Sequence, residues 1–457
     1  MQATVLEEPP LEFGYSGKHQ EQRAGLAQNG PADIEMPGRK DEARVGLVGP
    51  TKMLDELETW LQKCAGGVAA KPTDLLTLFP EFPGCTRELG FKTQLTLPAD
   101  ARRPLTKARL KQITDAPAEQ AKLSAAVHLC AEEVLALLDR APVDVVMVVR
   151  PDGVPEGVTS GAGTGANFHD LLKAALITVR EPIQIIRPST WRGGKGVEDE
   201  ATRAWNLFTA LYYKAGGIPW RLNLDGPESC FVGISFHHLK TTQRHLVQSS
   251  IAQAFSSKGE GFALRGGNVD WSEEQGRNVH LTDTQAAALA TSVLEEYRDR
   301  TGGVPIRMVF HKTSAFSDSE REGFRQALSS VPVVELINLM PTQFRLLRFG
   351  TYPPNRGTLC LVNKAKSYLF TTGYMPSLGT YPGPHIPAPV ELRSDRAVDF
   401  ERVAKDILGL ARMNWNTASM SGGQPVTLAF ARKIGGIMAE YGEDDSVSPL
   451  SSFRYYM

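Results

Sequence analysis

The run VDVVMVVRP, at residues 143–151, restricts the fold more than any other part of the chain. Val145 to Val149 form an unbroken apolar, largely β-branched series. A strand with one wet face alternates apolar with polar side chains, so this one is expected to be covered on both faces. Covering both faces takes helices, and the neighbouring sequence offers them. ARVGLVGP (43–50) reads as a second strand and leads into TKMLDELETWLQKC (51–64), whose apolar residues recur at helical spacing. SAAVHLCAEEVLALLDR (124–140) shows the same spacing and runs directly into the buried strand. Strands alternating with helices predict a layered α/β domain with a Rossmann-like sheet, and a binding crevice beyond the carboxyl ends of its strands.

With 457 residues, 42% apolar and 22% charged, the chain can build two or three ordinary domains. Residues 1–43 are rich in proline, glycine and charge and keep no period, so they are expected to drape as an extended, linker-like segment over another surface. Residues 44–222 form the first α/β block and 223–457 the second. No apolar run nears the roughly 18 to 20 residues that span a bilayer, and MQATVLEEPPLEFG lacks the basic start and apolar core of a secretion signal. A cytoplasmic location without membrane contact is expected. The five cysteines (Cys64, Cys85, Cys130, Cys230, Cys360) are scattered, as suits buried small hydrophobes in a reducing compartment rather than a disulfide framework or a zinc site.

The crevice region carries the chemistry. NFHDLLKAALITVR (167–180) places His169 and Lys173 four residues apart, on one helix face. PIQII (182–186) reads as a strand bearing Gln184, and ALYYKAGGIPW (210–220) puts Lys214 just ahead of a Gly-Gly that can end its helix. Mobile ammonium groups, an amide and an imidazole together suit a terminal phosphate. His169 and Lys173 alone would more often describe a solvated face, so the reading rests on the whole set.

Nucleic-acid binding generally needs a basic surplus, yet 50 Lys+Arg face 51 Asp+Glu, a net charge of −1. Any basic channel must therefore be local. Arg345, Arg348, Arg356, Lys364 and Lys366 lie in a stretch without an acid and are candidate channel residues, although the stretch also fits a solvated sheet face. His237 and His238 are adjacent on an expected strand, point to opposite faces and are not read as a metal pair. GAGTGA (161–166) resembles a fragment of a dinucleotide loop but lacks the full spacing and is read as a plain loop.

FHDLLKA, PIQII and YYKAGGIPWRL resemble, in order and spacing, the His/Tyr-Lys, Gln and Lys elements of the Argonaute MID pocket. LEFGYSGKHQEQRAGLAQNGPADIE resembles the family's approach to MID, LARMNWNTASMSGGQPVTLAFARKIGGIMAE its last PIWI helices, and FRYYM its aromatic-rich ending. Over nearly its whole length the chain is similar to the short prokaryotic Argonautes, which carry MID and PIWI domains only. The resemblance implies that His169 stacks on the first guide base and contacts the guide's 5′ phosphate, and that Lys173, Gln184 and Lys214 are phosphate ligands. It implies too that the α-carboxylate of Met457 reaches this pocket and coordinates a magnesium ion (Mg2+) shared with the phosphate. Where some relatives carry another basic residue one turn before the last lysine, Ala210 stands here.

For residues 223–457 the resemblance implies a PIWI domain with a ribonuclease H-like fold. Cleaving members hold two metal ions with acidic side chains. The first acid ends a strand like CFVGIS, where Ser235 stands; another follows a His-basic pair, where RMVFHKTSAF has Thr313. Hydroxyls do not replace bridging carboxylates, so no cleavage is expected and any enzymatic activity belongs to a partner. Asn414 and Asn416 fall near the place of a last metal ligand in active relatives. The resemblance further implies a heterodimer with an APAZ-containing effector, a sirtuin-like NADase in preference to a TIR NADase or a nuclease. A guide RNA would pair with single-stranded DNA of an invading plasmid or phage, releasing the effector and depleting NAD. Two rival readings stand beside it: an active guide-directed nuclease, and a metabolic α/β enzyme that binds a phosphorylated small molecule.

Overall fold

The computed structural model describes the 457 residues apart from 1, 159–164, 239–245, 257–260, 266–267, 271–278, 347–352, 384, 419–421 and 442–449; at 237–238, 246–256, 265, 268 and 270 it describes the backbone alone. Strand β1 (Gln2–Val5) opens the chain and joins a sheet formed much later. The first block then runs β2 (Glu42–Pro50), α1 (Thr51–Ala65), β3 (Arg102–Leu105), α2 (Glu119–Leu138), β4 (Val145–Val149), α3 (Phe168–Ala175), β5 (Ile183–Ile186) and α4 (Glu200–Lys214). Strands β3, β2, β4 and β5 lie side by side, all parallel.

The apolar run at β4 owes its character to this placement. Val145, Met147 and Val149 enter a core with Leu54 and Trp60 of α1 and Leu211 of α4, whereas Val146 and Val148 enter another with Leu123 of α2 and Leu172 of α3. Successive side chains go to opposite faces, and each face has its own helices. Helix α3 starts at Asn167, whose side chain accepts from the Asp170 N–H at 2.9 Å, and α4 at Asp199, which accepts from the Thr202 N–H at 3.1 Å. Each cap satisfies a first-turn donor that the helix leaves open.

The second block contains β6 (Ser229–His238), β7 (Leu246–Ser256), β8 (Gly261–Arg265), α5 (Asp283–Thr301), β9 (Arg307–Lys312), α6 (Asp318–Ala327), β10 (Val333–Pro341), β11 (Thr358–Asn363), β12 (Lys366–Leu369), β13 (Val390–Arg393), α7 (Phe400–Leu410) and α8 (Val426–Tyr441). Its sheet runs β1-β11-β12-β13-β10-β9-β6-β7-β8. Strands β6, β7 and β8 are antiparallel, while β9 and β10 run parallel to β6. Helices α5 and α6 cover one face through Val293 and Phe324 against Val232 and Phe310. Helices α7 and α8 cover the other through Ile407 and Ile434 against Phe231 and Ile337, in a core continuous with that of the first block.

The opening segment is more ordered than its composition predicts. Residues Gln22–Asn29 form a helix, and Leu11–Glu12 pairs with both Lys18–His19 and Arg221–Leu222. Its polar groups are tied to the second block: Arg412 donates to the carbonyl of Gln20 at 2.7 Å, and Arg356 to the Glu8 carboxylate at 2.8 Å. An eight-residue helix that buries Gln22 and Arg23 as well as Leu26 leaves no clear apolar period to read. All five cysteines are buried free thiols, and among the described residues no helix is long and apolar enough to cross a membrane.

Candidate functional site

Helix α3, strand β5, helix α4 and the final residues converge at one point. Lys173, 3% exposed, donates to the carbonyl of Ile183 at 2.6 Å and to that of Tyr455 at 3.0 Å. Lys214, 1% exposed, donates to the same Ile183 oxygen at 3.0 Å, to Gln184 Oε1 at 2.6 Å and to a main-chain oxygen of Met457 at 2.8 Å. The amide of Gln184 is oriented by its donation to the Ile185 carbonyl at 3.0 Å. His169 lies on the same helix as Lys173, half-buried, with Nδ1 2.8 Å from Asp170 Oδ1. The sequence-predicted residues His169, Lys173, Gln184, Lys214 and Met457 therefore meet in space.

Lys433, on α8 of the second block, belongs with them although sequence spacing gives no sign of it. Its charge acts on both buried lysines. Helices α3 and α8 approach so closely that a β-carbon at Gly436 would lie 2.9 Å from Asp170 Oδ2. That contact holds the third amine beside the other two.

Burial, followed by the charge of Lys433, pushes the Lys173 amine down to about 7. Burial pushes Lys214 well below the usual lysine range, with the charges of Lys173 and Lys433 adding to it. Lys433 is an exposed residue whose amine is nonetheless lowered by its surroundings, against the opposing charge of Asp170. His169 is lowered by burial, which outweighs its hydrogen bond to Asp170. Among the described residues no side-chain carboxylate lies within ion-pair distance of Lys173 or Lys214. Lys214 meets the Met457 oxygen, whereas Lys173 meets the main-chain carbonyls of Ile183 and Tyr455; buried cations are ordinarily paired, so the cluster is a candidate anion site.

A cavity of about 320 Å³ adjoins the cluster, lined by Gln184, Arg187, Ser189, Asn206, Ala210 and Asn416. The small side chain of Ala210 leaves part of this space open. Asn416 was expected near a metal position of the second domain; it instead lines this cavity, its N–H bonded to Asn414 Oδ1 at 3.0 Å.

In the second block, Ser235 on β6 and Thr313 just after β9 follow the last paired register position, Ile234↔Lys312, so they sit side by side at one sheet edge. Between them Lys312 is buried against the Glu320 carboxylate, its amine 5.1 Å from the Phe236 ring centre and 5.4 Å from that of Phe316. Among the described residues no group of three or more His, Cys, Asp or Glu side chains is placed to hold a metal ion.

Of the candidate channel residues, Arg356 is enclosed by the protein itself. Arg356 is buried, paired with Glu8 and donating to the carbonyls of Thr371, Gly422 and Leu408, so it faces no channel. Lys366 pairs with Glu391, an acid remote in sequence, at 3.1 Å. Arg345 and Lys364 are exposed. Arg348, the first four residues of GAGTGA and the side chains of His237 and His238 lie outside the described residues.

No family model matches the sequence, and no curated protein matches it. Solved structures do. The chain is similar to Clostridium butyricum Argonaute bound to a guide DNA with a 5′ deoxycytidine and a 19-mer target DNA, at 16% identity and a TM-score of 0.67, over 96% of this chain and 53% of that one. It is similar to Aa-Ago with externally bound siRNA, at 16% identity and a TM-score of 0.62, over 99% and 56% of the two chains. It is also similar to A. aeolicus Argonaute, at 16% identity and a TM-score of 0.58, over 98% and 55%. The chain thus spans about half the length of these structures. The likeness shows the Argonaute MID–PIWI fold, a Rossmann-like domain followed by a ribonuclease H-like one.

Proposed function

We propose that this chain is a short prokaryotic Argonaute that holds the 5′-phosphorylated end of a guide strand in its first domain. The observation that carries this reading is the convergence of Lys173, Lys214 and Lys433 from two domains, with no side-chain carboxylate paired to the first two. Burying an ammonium group unpaired costs about several kcal/mol, and a phosphate carrying about two charges offsets that cost. Lys173 and Lys214 take the phosphate oxygens, and Gln184 fixes the Lys214 amine through Oε1. His169, kept neutral by burial, offers a planar ring to the first base. The adjoining cavity of about 320 Å³ has the size of a ligand pocket and takes the nucleotide that follows.

The Met457 oxygen and Gln184 Oε1 both accept from the Lys214 amine; hard oxygens of this kind would suit a magnesium ion beside the phosphate once they turned from that amine. When bound, such an ion screens the phosphate from the chain's own terminal carboxylate.

In the second domain, Ser235 and Thr313 stand where a nuclease of this fold carries acids, so the proposed role is recognition without cleavage. The guide, an RNA by family resemblance, pairs with single-stranded invading DNA, and pairing releases an APAZ-containing effector, an NADase by preference, whose depletion of NAD stops the infected cell. The direct experiment is to express the chain with its neighbouring gene product, extract the bound nucleic acid and label its ends. Short 5′-phosphorylated RNA is expected. Absence of nucleic acid, with no affinity for added guide, would overturn the role. Cutting of a matched target in magnesium or manganese would overturn the inactive second domain.

A further inference from the structure

A second cavity, of about 240 Å³, opens between α6 and β10 and shares no lining residue with the one beside Gln184. Phe324, Leu328, Val334, Leu336 and Val398 contribute its apolar wall. Strand β10 lies inside the sheet, between β9 and β13, and Val334 and Leu336 are only partly buried there. The helices of that face, α5 and α6, centre on β6 and β9. Sideways, the strand pairing runs from Asn338, which is buried, to Arg393 and from Arg393 to Lys366.

The rim is short of negative charge. Lys366 and Arg393 share the single carboxylate of Glu391. Arg396 is exposed, with no ion pair among the described residues. The nearby acids are engaged, Glu335 with Arg307 and Arg402 at 2.5 Å each and Asp395 with Arg321 at 3.0 Å.

We propose that this face docks an acidic peptide segment of a partner protein, which seats one aliphatic or aromatic side chain in the cavity; the inference is independent of the lysine site. Pockets for small molecules run from roughly 300 to 1,000 Å³, and this one falls below that range, at the scale of an anchoring side chain. Partly buried apolar side chains beneath a polar rim leave a seat for one such side chain. Single-stranded nucleic acid is also anionic, but it binds such faces by stacking on free rings. Phe344 and Tyr368 are stacked on each other, centres 4.5 Å apart and 10° from parallel, and the Lys366 amine stands 5.1 Å from the Tyr368 ring centre.

The test titrates the full chain with three fluorescent peptides: Phe flanked by Glu and Asp, the same flanks around Ala, and Phe flanked by Lys. The acidic Phe peptide is expected to bind about tenfold more tightly than either control. S329W, which closes the mouth from an exposed position, and R396E, which reverses a rim charge, should each weaken it by about tenfold, with Tm and binding of a 5′-phosphorylated oligonucleotide unchanged. Equal affinity for the three peptides, or no effect of either variant, overturns the proposal. So does displacement of the peptide by single-stranded DNA in a K173A/K214A background, which would assign the face to nucleic acid.

Discussion

Lys173 and Lys214 donate to a single acceptor, the carbonyl oxygen of Ile183, at 2.6 and 3.0 Å. Held on one oxygen and shut away from solvent, the two amines are pushed toward their neutral forms, by burial first and by neighbouring lysine charge second. On the proposed reading, a terminal phosphate entering here would favour the charged form of both amines.

Lys173→Ala and Lys214→Ala are therefore expected to weaken a 5′-phosphorylated guide by about ten- to a hundredfold each, the range of a charged hydrogen bond. A 5′-hydroxyl guide should lose little. Fluorescence anisotropy on matched oligonucleotides measures both, and equal losses would remove the phosphate assignment.

The affinity of that guide depends on pH with a definite sign. Lys173 titrates at about 7 in the free protein, and a bound phosphate raises its pKa, so binding takes up a proton. Affinity should be greatest near neutrality and fall as pH rises above about 7, by up to about tenfold per unit, until the raised value is reached. Lys433→Gln removes a charge that lowers Lys173, so it should weaken binding and also move the onset of the fall to higher pH. A purely structural role for Lys433 would leave that onset in place.

Arg356 tests the opposite kind of cation. Its guanidinium is enclosed by Glu8 and three main-chain carbonyls, so Arg356→Ala leaves those carbonyls without their donor and Glu8 with Arg412 alone, and should cost about 1 to 3 kcal/mol. Urea unfolding reads this directly. A variant with unchanged stability and weaker nucleic-acid binding would return Arg356 to a channel.

His311, fully buried with Nδ1 3.0 Å from Thr427 Oγ1, is pushed down to about 3 by burial and, secondarily, by the charge of Arg307. The unfolded chain binds this proton first, near pH 6.5, so the native state should lose stability as pH falls from there toward 3. The slope from this group is about 1.4 kcal/mol per unit. His311→Leu should lessen the acid slope; an unaltered slope would place the loss elsewhere.

The chemistry of the site was legible as far as local order carries it. Lys173 and Gln184 lie on consecutive elements of one layered domain, and Lys214 follows on the next helix, so strand-and-helix order brings them to the same edge. Lys433 escaped that reading because its approach depends on α8 docking against α3 across Gly436, a contact between remote segments. Arg356 was misread because its partner, Glu8, lies near the other end of the chain. Composition counts charges without pairing them.

The sequence by itself determined the layered first domain, since five apolar residues at Val145–Val149 have no stable place except between two helical layers, and their alternate burial in two cores follows from strand geometry alone. It also determined the chemical identity of the candidate ligands. Only the tertiary structure decided which cations are buried and what each one meets. Ion pairing and burial depend on distances between segments far apart in the chain, and those distances exist only once the two domains have packed together.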